Sequence, residues 1–168
     1  SDLAVEEILF QDRRAVGVRT ARGEQRADAV MVNADFANAI TKLVPNHLRR
    51  RWSDAKVARK DFSCSTFMLY LGVERRFDHL AHHNIYVAKD YRRNLDEIER
   101  QHVLSEDPSF YVANPVRTDA TMSPPGHSAL YVLLPVTHQH PNVDWNKERG
   151  QYRTVALRQL EKLGITDI

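Results

Sequence analysis

The chain has 168 residues, of which 42% are hydrophobic and 27% charged, and its 24 basic and 22 acidic side chains leave a net charge of +2. That balance suits an ordinary folded core. It provides no clustered cationic face of the kind nucleic acid needs, so nucleic acid is excluded as a partner. A single cysteine, Cys64, rules out an internal disulfide and points to a reducing, cytoplasmic compartment. No run approaches the roughly 18 apolar residues of a membrane span, and no secretory signal opens the chain.

Residues 3–32 read as consecutive strands. Val5, Ile8 and Phe10 belong to the first, the turn Gln11–Arg14 follows, and Ala15–Thr20 is the second. Arg22-Gly23-Glu24 marks another turn. Ala27–Val32 is a further apolar run, of the kind expected in a parallel sheet covered on both faces. Asn33 and Asp35 suit a helix N-cap. Phe36, Ile40, Leu43 and Val44 then recur at helical spacing, and Pro45 closes the helix. Residues 46–60 are polar and basic and read as one short helix and a connection. The densest basic run, Arg49-Arg50-Arg51 with Lys56, Arg59 and Lys60, reads as a solvated helix face, with a phosphate or anionic-lipid contact as the sharper alternative.

The composition changes after a seam near residues 45–62. Thr66–Leu71, Ile85–Ala88, Phe110–Ala113 and Ala129–Val136 are strands, the last too apolar to be exposed on either face. Asp90 caps a helix with Tyr91, Leu95, Ile98 and His102 on one face. Ser123–Gly126 is a loop. Asp144 caps a final helix with Tyr152, Ala156, Leu160 and Leu163 on one face, and Gly164 ends it. The fold class is therefore α/β in the mixed α+β sense: a strand-rich stub, then a sheet with helices packed on one side.

Little chemistry is legible from motifs. The six glycines never fall as G-x-G-x-x-G, and no C-x-x-C, H-E-x-x-H or G-x-S-x-G occurs. His82 and His83 would point to opposite faces if both lay in a strand. His138 and His140 share a face but lack an evident third ligand, so no metal site is assigned. Cys64 reads as a small buried residue. Arg117 and Asp119 read as a local ion pair bracing the following loop. Tyr86, Tyr91, Tyr111 and Tyr131 are candidates for an apolar cavity or for the core.

Several stretches together resemble one family. Val5-Glu6-Glu7-Ile8, Ala15–Val18 and Ala27–Asp35 are similar to the late sheet of the flavin domain of bacterial and fungal phytoene desaturases. Ser63–Gly72, His82-His83-Asn84-Ile85, Tyr91-Arg92, Leu104–Ser109, Pro115–Asp119, Pro124-Pro125-Gly126, Tyr131–Val136 and Asp144-Trp145 resemble their substrate domain in order.

The resemblance implies an internal fragment of a two-domain FAD-linked oxidoreductase. Residues 1–45 would be the C-terminal part of the flavin-domain sheet, and 46–168 a mixed-sheet substrate domain with helices packed on it. It implies FAD as cofactor, a hydrophobic polyene as substrate and contact with a membrane surface. Val5 would hold the adenine through its backbone, and Arg117, Tyr131 and His138 would line the substrate cleft. The glycine-rich flavin motif is absent from these residues, so the isolated chain is expected to be inactive. A domain without its neighbour exposes apolar surface, which favours homo-oligomers. Two other readings share the fold: a non-enzymatic isoprenoid-binding module and an amine-oxidase-type flavoenzyme.

Overall fold

A computed structural model describes residues 2–168. It divides into two compact units, Ser1–Asp61 and Phe62–Ile168.

The first unit is built on a three-stranded antiparallel sheet in the order β1-β2-β3: Val5–Gln11, Arg14–Thr20 and Gly23–Arg26. Asp12 and Arg13 turn the first hairpin with positive φ. Gly17 (φ +151°) lies where β2 meets β3, and a Cβ there would come within 2.2 Å of the Gln25 carbonyl oxygen. Only glycine fits that approach. The strand expected over Ala27–Val32 does not form. Among the described residues no further strand pairs with this sheet, and Met31 is 95% exposed. An apolar run becomes a buried strand only where neighbours satisfy its backbone.

Helix α1, Phe36–Leu43, follows as expected. The Asp35 carboxylate caps it, accepting from the Asn38 amide at 2.7 Å. The basic stretch forms a 3₁₀ turn at Asn46–Leu48 and a single helical turn, α2, at Asp54–Val57. One side chain knits these pieces together. Arg49, whose side chain is only 4% exposed, donates to the carbonyls of Val44, Thr41 and Trp52 and to Asp54.

The second unit is a four-stranded antiparallel sheet in the order β4-β7-β6-β5: Ser65–Val73, Ser128–Val136, Phe110–Ala113 and His83–Tyr86. On β7 the even positions Leu130, Val132, Leu134 and Val136 are buried, with no more than 3% exposure. Each buried side chain of this size contributes about 1.5–3 kcal/mol. They pack with Phe110, Val112 and Val73 against Tyr152, Ala156 and Leu160 of α4, Trp145–Leu160. Asp144 caps α4, and Gly164 ends its 3₁₀ extension at φ +70°. The odd positions Ala129, Tyr131, Leu133 and Pro135 are only half-buried. The expectation that β7 would be covered on both faces is therefore corrected.

Helix α3, Tyr91–Asp96, passes into a π-helical turn at Glu97–Gln101, and His102 closes it at φ +53°. Of the face expected to pack, Ile98 is buried and Leu95 and His102 are half-buried, but Tyr91 is 49% exposed and Asn94 and Glu97 are buried instead.

Candidate functional site

The outer face of the second sheet is uncovered within its unit. Pairing sets the face directly: Tyr70 lies opposite Tyr131, Met68 opposite Leu133, Ala113 opposite Tyr131, and Ile85 opposite Tyr111. Because strand side chains alternate, these residues stand together on the side away from α4. Tyr70 and Ile85 are each 75% exposed, which an antiparallel sheet permits on one face but an ordinary solvent face fills with polar residues.

The tyrosines form a row across the strands. Tyr70 and Tyr131 meet edge to face with centroids 5.3 Å apart, and Tyr131 and Tyr111 at 6.2 Å. The Tyr111 hydroxyl lies 2.7 Å from Nδ1 of His83, whose ring stacks on it at 6.0 Å. None of Met68, Tyr70, Tyr111, Ala113, Tyr131, Leu133 and Ile85 carries a formal charge, and His83 is the one imidazole beside them. The result is a strip that is apolar and aromatic along its length and polar at one edge.

The other concavities are chemically different. One of about 730 Å³ in the first unit includes Asp12, Arg14, Arg26 and Asp28 in its lining. Another of about 460 Å³ in the second is lined by Lys89, Asp90, Arg93, Asn94, Glu97, Ser105, Glu106 and Asp107. Charged side chains dominate both linings, unlike the uncharged strip.

The expected site residues are dispersed. Tyr131 stands at the centre of the strip. Arg117 sits in a 3₁₀ turn after β6, exposed, with no side-chain partner among the described residues. His138 follows the opposite end of β7, its ring 6.0 Å from Phe62 and 4.9 Å from His102. Since β6 and β7 are antiparallel, Arg117 and His138 lie at opposite ends of the sheet. Val5 opens β1 in the first unit, opposite Thr20 and 41% exposed.

Local chemistry corrects several expectations. Asp119 forms no ion pair with Arg117. It caps the next 3₁₀ turn, accepting from the Thr121 amide and hydroxyl, which hold its carboxyl below the usual range. His82 precedes β5, so the two histidines are not both in strand, and their rings lie 4.3 Å apart. His82 bonds Thr118 Oγ1 at 2.6 Å. Cys64 is exposed. His140 stacks on His102 at 4.2 Å, a neighbour that residue spacing does not reveal. Burial first, then the nearby His102 and His138, push its pKa down. Among the described residues no group of three His, Cys, Asp or Glu is arranged to hold a metal.

A flavin needs converging backbone N–H groups at a glycine-rich turn between strand and helix. None of the six glycines occupies one. They lie in β2, the β2–β3 hairpin, β4, the loop before β7, α4 and the end of its extension. The described residues therefore do not make a flavin site by themselves.

No protein-family model matches the chain. It is 44% identical over 168 residues to an all-trans-zeta-carotene desaturase of Myxococcus xanthus, covering 98% of this chain and 32% of that protein. It is 39% identical over 166 residues to a 4,4'-diapophytoene desaturase of Methylomonas sp, with coverage of 98% and 32%. The chain thus spans about a third of the length of these relatives, and the likeness read from its motifs is borne out. An oxidoreductase from Methanosarcina mazei has a similar fold, with a TM-score of 0.56 over 95% of this chain and 33% of that one at 16% identity.

Proposed function

We propose that this chain is the substrate-facing segment of a carotenoid desaturase, an FAD-dependent oxidoreductase that introduces double bonds into a polyene precursor such as phytoene. The carrying observation is the open strip of Tyr70, Tyr131, Tyr111, Met68, Leu133 and Ile85. A long hydrocarbon has nothing to hydrogen-bond, so it is held by apolar area and aromatic faces, which is what the strip presents. Residues 1–45 are assigned to the end of the flavin-domain sheet and 46–168 to the substrate domain.

In such an enzyme the flavin is the hydride acceptor. The residues here bind and align the substrate and exclude water along the strip. Tyr131 forms its floor, the His83–Tyr111 pair borders it on the β5 side, and Arg117 and His138 stand at its two ends. A substrate stored in lipid suits a cytoplasmic enzyme that works peripherally at a membrane surface.

The visible spectrum of protein purified from the complete open reading frame containing this sequence tests the reading. A flavin spectrum that bleaches on reduction, with conversion of a colourless, less unsaturated precursor to a coloured polyene, is the expected result. A colourless protein that takes up polyene without oxidising it would replace the reading with a binding module.

A further inference from the structure

The first unit carries a patch that the polyene strip does not explain. Phe36, at the start of α1, packs edge to face on Trp52 with centroids 5.0 Å apart, yet it remains 53% exposed. Lys56 Nζ lies 5.2 Å from the centre of the same indole and Lys60 Nζ 5.9 Å. Arg50 and Arg51 immediately precede it, both exposed. Among the described residues none of these four cations has an ion-pair partner.

Residues 46–61 hold six Lys and Arg side chains against two carboxylates, while the whole chain is only +2. One of those carboxylates, Asp54, is already neutralised by the sequestered Arg49. Lys56 and Lys60 beside the indole stay available, with Arg50, Arg51 and Arg59 exposed close by in sequence.

We infer that this Phe36–Trp52 platform, with Lys56 and Lys60 on its indole and Arg50 and Arg51 next to it in the chain, is a docking surface for an anionic lipid bilayer. The charge selects an anionic partner. The aromatic pair favours lipid over other polyanions, because an exposed Phe packed on an indole suits the boundary between headgroups and acyl chains. It does not suit a hydrated phosphate backbone, whose recognition by stacking needs splayed bases. The inference rests on the proposed function only for its biological purpose, which is to bring the polyene strip to a lipid store.

The test mixes the purified chain, without any polyene, with vesicles of phosphatidylcholine alone and of equimolar phosphatidylcholine and phosphatidylglycerol. Flotation should recover the chain with the anionic vesicles only, and added salt should release it. In a Trp145→Phe background, Trp52 emission should shift to the blue on binding. Each cation removed should weaken partitioning roughly five-fold, so Arg50→Gln with Arg51→Gln costs about 25-fold. Lys56→Gln with Lys60→Gln is a second, independent pair should the first misfold. Equal partitioning into neutral vesicles, or no loss in either pair, overturns the inference. Binding to inorganic polyphosphate without binding to vesicles overturns it too. Because no polyene is present, these outcomes leave the desaturase reading to stand or fall on its own.

Discussion

The guanidinium of Arg49 reaches Oδ1 of Asp54 at 2.5 Å while its Nε donates to the Val44 carbonyl at 2.7 Å. One buried fork thus ties the end of α1 to the start of α2. A helix C-terminus leaves carbonyls without intrahelical donors, and here Arg49 serves Thr41 and Val44. Arg49→Ala should destabilise the first unit by about 2–3 kcal/mol, because buried acceptors lose their donor and Asp54 loses its partner. Arg49→Lys should recover little, since an ammonium cannot reproduce the planar fork. Urea unfolding followed by Trp52 fluorescence in a Trp145→Phe background measures it, and an unchanged midpoint in Arg49→Ala would count against the account.

Tyr131 is the test of the strip. Replacing it with Ala removes the ring that touches both Tyr70 and Tyr111. Polyene affinity should fall about ten-fold, the worth of one large aromatic contact. Tyr91→Ala, at an exposed tyrosine on α3, should leave it unchanged. Absorbance of bound polyene at increasing protein concentration gives both constants.

Most strands and the helix caps at Asp35, Asp90 and Asp144 were legible in the sequence, because hydrophobic period and capping chemistry are local. The strip was only half legible. Tyr111 and Tyr131 stood out as ring candidates, but the Tyr70 opposite Tyr131 and the His83 bonded to Tyr111 depend on strand register, which no single segment encodes. Ala27–Val32 misled for the same reason, since an apolar run specifies a strand only together with its neighbours. The π-turn at Glu97–Gln101 was not legible, because residue spacing does not reveal a local change of helical pitch.

Tyr152 is buried to 3% exposure and its hydroxyl has no hydrogen-bond partner among the described residues. Burial, with a smaller contribution from Glu97, raises its pKa well above the ordinary value. Tyr152→Phe removes an unsatisfied polar atom and keeps the ring that packs on Phe67. Stability should hold or rise by about 1 kcal/mol. In an alkaline absorbance titration this tyrosine should stay neutral after the exposed ones have ionised, and only unfolding should release it.

Asp107 meets Lys162, which lowers its carboxyl pKa; partial burial opposes the shift and Gln159 adds to it. A depressed carboxyl pKa stabilises the fold above the unfolded value, 3.8, and that contribution is lost as pH falls through the lower folded value. Asp107→Asn should therefore flatten this part of the acid limb without altering stability differences between pH 6 and 8. Lys162→Met should flatten it in the same way. Melting temperatures taken across the acid range separate these variants from the parent, and parallel curves for all three would refute the assignment.

His140 shifts downward for a different cause: burial disfavours its charged form first, and His102 and His138 add to the effect. The neutral ring is the one that fits, so its contribution to stability is complete above 6.5, the ordinary value, and declines as pH drops through the lower folded value. His102→Gln should move the His140 midpoint part of the way back up, because the burial cause remains. It also removes the ring that bonds Thr137 Oγ1 at 2.9 Å. His138→Gln leaves that bond intact and should produce a smaller rise of the same sign. Imidazole proton shifts followed by NMR resolve the order. A midpoint at or above the ordinary value in the parent chain would mean that the three rings do not share one crowded site in solution.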